Sequence, residues 1–146
     1  MTDDAAPKKK RRMGKSPNAR SLAWLRSFGW RAQIVEQTLP RCFIKRDLFG
    51  LADIACLDTE PGMRLVQATT ETHLMEHIAK AEGIADLRTL LDAGNRFEIH
   101  AFGKRVVVPQ HGVKRTKAAA FSYHMRRITA RLGGGVVKWH EEAGDE

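Results

Sequence analysis

Apolar residues recur at spacing three from Ala19 through Leu22 and Leu25 to Phe28, and this pattern predicts a first helix. Ser16 or Asn18 can cap it, Trp24 widens its apolar face, and Gly29 stops it. The period then shortens. "RAQIVEQTL" alternates up to Pro40 and reads as a strand, with "RCFIK" as its neighbour or return, and "DLFG" turns the chain at Gly50. "LADIACLD" (51–58) is a nearly continuous apolar run, as expected of a strand covered on both faces, and "TEPG" joins it to a partner strand, "MRLVQAT".

Helical periodicity returns in "ETHLMEHIAKAEG", which Thr69 or Thr70 can cap, and in "IADLRTLLDAG", which Gly94 closes as a left-handed cap. "RFEIHAF" alternates as a strand, and "RVVV" is a candidate to continue it as a hairpin. In "KRTKAAAFSYHMRRITARL" the residues Phe121, Met125, Ile128 and Leu132 follow at spacings of four, three and four, which predicts a long final helix. "LGGGV" then reads as its cap and a flexible turn, and "GGGVVKWH" as a last edge strand. The order helix, strands, helix, helix, strand, helix predicts an α/β fold, a mixed sheet flanked by helices. No internal repeat is present.

At 146 residues this is one domain with a core of its own, expected over 17–140 between two charged ends. Residues 1–16 carry "PKKKRRMGK" and no apolar periodicity, so a disordered basic tail is expected, read either as an import signal or as a nucleic-acid-clinging arm. Residues 141–146, "EEAGDE", form an acidic tail. The net charge of +8 survives when the basic residues of 8–15 and the acidic ones of both ends are set aside, so the folded part is itself basic. Such a surface suits a polyanion, because neutralised phosphates release counterions. Cys42 and Cys56 lack any CxxC spacing and read as buried thiols of a reducing compartment. With no apolar run near the roughly 20 residues of a membrane span, the expectation is a cytoplasmic protein, nucleoid-associated when bound to DNA, without a membrane partner.

The polar residues inside the apolar strands carry the candidate chemistry. Strand alternation puts Asp53 on one face with Leu51 and Ala55, and Gln67 with Leu65 and Thr69. If the strands are neighbours, Asp53, Gln67 and Thr69 gather on one face, where an ionised carboxylate needs a cation or a partner. A hard divalent ion held by oxygen ligands meets that need and can activate water against a phosphodiester. The alternative is that Asp53 caps a turn or pairs with Lys45 or Arg46. His73 and His77 stand four apart on a predicted helix, but no third zinc ligand accompanies them. No phosphate-cradling glycine loop is found, since "GKRVVVPQHGVK" lacks the required spacing.

At these residues the chain resembles the PD-(D/E)XK nuclease superfamily, and within it the Holliday junction resolvase-like and small phage endonuclease-like proteins. The resemblance runs from about Asn18 to Phe102. "GLADIACLD" stands where those proteins show a proline, an aspartate and an apolar run, and "LVQATT" where they show an acid, any residue and a lysine. The resemblance implies a restriction-endonuclease-like sheet and a DNA endonuclease, cutting branched DNA in some relatives, that uses magnesium or manganese. It implies Asp53 as first metal ligand, Gln67 as the second through its side-chain oxygen, and Thr69 in the place of the lysine. Asp47, or Glu36, is then expected to supply the missing carboxylate, and Lys45, Arg46 or Lys80 the missing positive charge. The relatives also carry a glutamate on the first helix, where this chain has Asn18. A homodimer is implied, because junction resolvers cut two strands symmetrically. A catalytically inactive DNA-binding module or assembly factor of the same fold is the competing expectation. In either case Lys45, Arg46, Lys114, Arg115, Lys117, Arg126, Arg127 and Arg131 are the candidate phosphate contacts, the last six on the final helix.

Overall fold

A computed structural model describes residues 15–41, 44–106 and 121–143. Helix α1 (Pro17–Ser27) starts where Ser16 Oγ accepts the Ala19 N–H at 3.2 Å and Pro17 fills the first turn, in which its missing N–H costs nothing. It ends at Gly29, whose φ of +77° suits a residue without Cβ. Strands β1 (Arg31–Ile34), β2 (Gln37–Thr38), β3 (Lys45–Arg46), β4 (Ile54–Leu57) and β5 (Arg64–Thr70) follow. A single 3-10 turn (Glu71–His73) leads into α2 (Leu74–Glu82) and α3 (Ala85–Asp92), and the chain finishes with β6 (Arg96–Val106), β7 (Phe121–Gly133) and β8 (Val136–Glu142). The architecture is mixed α/β.

One six-stranded sheet has the order β1-β4-β5-β6-β7-β8, and β2 and β3 form a separate two-stranded ribbon. Only β5 and β6 run parallel, and α2 with α3 supply the crossover such a pair requires. Period-two alternation sorts the side chains onto two faces. Ile54, Cys56 and Val66 pack against Leu25 of α1. Ala55, Leu65, Phe97, Ile99 and Ile128 pack on the other side with Leu74, Leu87 and Leu90 of α2 and α3. Burying each such aliphatic side chain contributes about 1.5–3 kcal/mol. Among the described residues no helix is long and apolar enough to cross a membrane.

Over its described part, from Phe121 on, the predicted final helix is a strand. Residues 107–120 lie outside the described residues, and with them Lys114, Arg115 and Lys117, but Phe121–Gly133 pairs antiparallel with β6 from Phe97↔Ala130 to Val106↔Phe121 and with β8 on its far side. Helical spacing is overridden because Ile128 and Ala130, two apart, bury against Ile99 and Phe97, while Thr129 and Arg131 face away. "LGGGV" is therefore no helix cap. Gly134 and Gly135, with φ of +60° and +79°, form the two-residue hairpin turn between β7 and β8. Of the six cations expected along one helix, the three described ones lie on this strand: Arg126 pairs with Ala101 in register and Arg127 with His100, so their side chains emerge on opposite faces of the sheet. Thr70 occupies the cap position of the 3-10 turn without a side-chain capping bond, contrary to expectation. Cys42 lies outside the described residues, as does the basic tail up to residue 14, and Cys56 is a buried free thiol of β4.

Candidate metal centre

Three carboxylates from separate segments meet at the start of β4. Glu36 sits between β1 and β2, where its N–H donates to the Asp53 carbonyl at 3.3 Å. Asp47 follows β3 and opens a tight turn in which Phe49 and Gly50 take left-handed φ values of +56° and +69° and Leu48 bridges to Ala52. That turn folds Asp47 back onto Asp53. Asp53 itself is locked into the ladder, its N–H donating to the Val66 carbonyl at 2.9 Å and its carbonyl accepting from Val35 at 2.8 Å. One ligand oxygen from each of Glu36, Asp47 and Asp53 lies within 4.8 Å of the other two. Among the described residues this is the one cluster of three potential metal-ligating groups, and His73 instead hydrogen-bonds Glu76 at 3.2 Å.

The carboxylates line an open cleft of about 410 Å³ walled by Ser16, Pro17 and Asn18 of the first helix, with Lys45 at its rim. Each acid has its own holder. Asn18 Nδ2 donates to Glu36 Oε2 at 3.1 Å, with Lys45 Nζ 4.0 Å from Oε1, and Lys80 Nζ lies 3.5 Å from Asp47. Gln67 Nε2 donates to Asp53 Oδ2 at 2.7 Å and the Ala68 N–H reaches the same oxygen at 3.3 Å. These two donors do not compensate for the surroundings: burial first, and then the neighbouring Asp47, push the Asp53 carboxyl up to about 8. A carboxylate so placed is stabilised by a cation.

Of the residues singled out in the sequence, Asp53, Asp47, Glu36 and Gln67 come together. Gln67 does so through its amide nitrogen, where its oxygen was expected to face a metal, so Glu36 rather than Gln67 completes the set of anionic oxygens. Thr69 shares the face of Gln67 but is buried and does not line the cleft. Arg46 is exposed on the β2–β3 ribbon. Arg126 is engaged by Glu141 at 2.7 Å and Arg131 by Glu142 at 2.7 Å, while Arg127 lies 3.4 Å from Glu98. Oxygen-only, anionic and partly open, the site fits a hard divalent cation and is ill suited to a softer one.

A second polar cluster was not foreseen. On the α1 face, Ser21 Oγ lies 2.9 Å from His100 Nδ1, His100 Nε2 lies 3.0 Å from Glu98, and Arg64 Nη1 donates to both Glu98 oxygens at 2.9 and 3.2 Å. Arg64 and Arg96 in turn both bind Asp58. The alternation in "EIH" places Glu98 and His100 on one strand face and was the only sequence signal for it. Ser21 and His100 are fully buried, so this serine–histidine–glutamate chain meets no substrate and serves to join α1 to the sheet. No protein-family model matches the chain, and neither a characterised protein nor a solved structure matches it.

Proposed function

We propose that this protein is a metal-dependent endonuclease-like protein with a restriction-endonuclease-like core, hydrolysing DNA phosphodiesters with magnesium or manganese. The observation that carries the reading is the convergence of Glu36, Asp47 and Asp53 from three segments at the start of β4, in a chain of net charge +8. Glu36, Asp47 and Asp53 would hold the cation, which would supply Lewis acidity. The protein's own residues do the rest. Gln67 and the Ala68 N–H fix the Asp53 carboxylate, Asn18 fixes Glu36, and Lys80 fixes Asp47, so the oxygens are held ready before any ion arrives. Asn18 thus supports Glu36 from the helix position where the resemblance led us to expect an acid. Lys45, which lines the cleft, is the counter-charge for a phosphate on this reading, in place of the lysine that Thr69 replaces. Lys45 and Arg46 on the ribbon would contact the DNA backbone on this reading, and two copies would be required for paired cuts.

The test is a nicking and branched-DNA cleavage assay with Mn²⁺, comparing wild type with Asp53→Ala; equal activity in both rejects the catalytic role. A second reading is favoured by one observation, the burial of Thr69 outside the cleft. It is a DNA-binding module that has lost cleavage. Manganese-independent DNA binding with a steep salt slope and no cleavage product would establish it.

A further inference from the structure

A cluster of cations and aromatic rings, in which Arg127 also pairs with Glu98 at 3.4 Å, lies apart from the carboxylates. It forms a groove of about 500 Å³ between α1 and β7, on the opposite face of the sheet from Gln67, lined by Lys15, Arg20, Trp24, Tyr123, Met125 and Arg127. No carboxylate lines it among the described residues. The guanidinium of Arg20 lies over the Tyr123 ring, 3.3 Å from its centroid, and its Nε is buried with no hydrogen-bond partner among the described residues. Arg127 sits 5.4 Å from the Trp24 ring centroid. Tyr123 is 45% exposed.

We propose that this groove is a subsite for an unpaired nucleotide of single-stranded nucleic acid, its base stacking on the Arg20–Tyr123 layer beside Trp24 and its phosphates meeting Lys15 and Arg20. A nucleotide combines a flat π-surface with a fixed anion, and interleaved cations and aromatic rings answer both needs at once. Position supports the same occupant. Lys15 lines this groove while its neighbour Ser16 lines the acidic cleft, so the two open on either side of the start of α1. A strand with a phosphodiester at Asp53 would pass over that first turn and leave a flanking nucleotide in the groove. The proposal names the substrate form of the nuclease site and rests on that reading for the fate of the strand, while the binding itself needs no metal.

The experiment is fluorescence anisotropy of the full chain in EDTA with short labelled oligothymidylate and oligouridylate, against a duplex of equal length and polyglutamate. Expected is preference for a single strand over the duplex and polyglutamate, with Arg20→Gln and Tyr123→Leu each weakening it roughly tenfold. Arg20→Gln also lowers the slope of log affinity against log salt by about 0.7, the loss of one phosphate contact. Tyr123→Phe, which keeps the ring, binds like wild type and shows that the groove remains folded. The preferred sugar tells DNA from RNA. Wild-type affinity in Arg20→Gln and Tyr123→Leu, or equal binding of polyglutamate, overturns the proposal. Since no metal is present, intact oligonucleotide binding with no Mn²⁺-dependent cleavage condemns the nuclease reading alone; cleavage without oligonucleotide preference condemns the groove alone.

Discussion

Gln67 Nε2 donates to Asp53 Oδ2 across 2.7 Å, the shortest of the contacts that hold the three carboxylates in place. Residues 53 and 67 face each other because Ile54 pairs with Val66 in an antiparallel ladder, so the next positions outward share a face. The amide neutralises nothing. It orients an acid that burial and Asp47 make costly to ionise.

That cost can be measured by removing it. Asp53→Asn keeps the size and an acceptor for the Ala68 N–H while deleting the buried charge. The metal-free variant should melt higher than wild type near pH 8, by roughly 5 °C for a gain of about 1 kcal/mol. In wild type Mn²⁺ should raise the melting temperature, and in Asp53→Asn it should not. A variant that melts lower without metal would show that Asp53 is already satisfied by its neighbours.

Glu36 supplies the third carboxylate from a segment outside the sheet, held by Asn18. Glu36→Gln preserves an acceptor for that bond and loses only charge. Mn²⁺ affinity, followed by calorimetry, should fall at least tenfold, corresponding to about 1.4 kcal/mol, with the metal-free melting temperature little changed. Asn18→Ala should weaken Mn²⁺ binding less than Glu36→Gln, since it frees the carboxylate without removing it. Equal affinities for wild type and Glu36→Gln would confine the centre to Asp47 and Asp53.

Much of this centre was legible in the sequence because polar residues interrupt two apolar runs at positions that alternation puts on one face. What stayed hidden was the route of Asp47 to Asp53, which depends on a left-handed backbone at Phe49, a residue that gives no local hint of it. Gln67 was assigned by analogy to a ligand, and sequence alone cannot say which end of an amide meets a carboxylate. The error at the C-terminal end has a different cause. Phe121, Met125, Ile128 and Leu132 fit a helical stripe, yet Ile128, Ala130 and Leu132 fit a strand equally well; the decision lay with the partners β6 and β8 and with the Gly134–Gly135 turn.

The strand assignment makes opposite demands on adjacent residues of β7. Ala130 is 7% exposed against the apolar core, while Arg131 faces solvent and pairs with Glu142. Ala130→Asp should therefore cost on the order of 3 kcal/mol or prevent folding, through an unpaired buried charge. Arg131→Gln should shift stability by no more than about 1 kcal/mol, the range of a surface ion pair. Urea denaturation of the two variants separates these outcomes, and similar costs for both would argue against the alternation.

The buried chain under α1 gives the protein an acid sensitivity of definite sign. Burial alone would raise the Glu98 carboxyl, but the His100 hydrogen bond and charge, with Arg64, outweigh it and hold the group at about 2 against an ordinary 4.5. A folded-state value below the unfolded one means that Glu98 contributes its stability in full above pH 4.5 and loses it as pH falls towards 2. Asp58, which Arg96 holds below the usual carboxylate range against its own burial, adds to the loss over the lower part of that window. For Glu98 the shift corresponds to roughly 3 kcal/mol at most. Denaturant midpoints of wild type should fall steeply between about pH 4.5 and 2. Glu98→Gln should start lower at pH 7, because Arg64 and Arg127 lose their shared anion, and should lose less than wild type over the same range. Were the two proteins to lose stability in parallel, the acid sensitivity would belong to Asp58 and its arginines, and Glu98 would act only as a hydrogen-bond acceptor for His100.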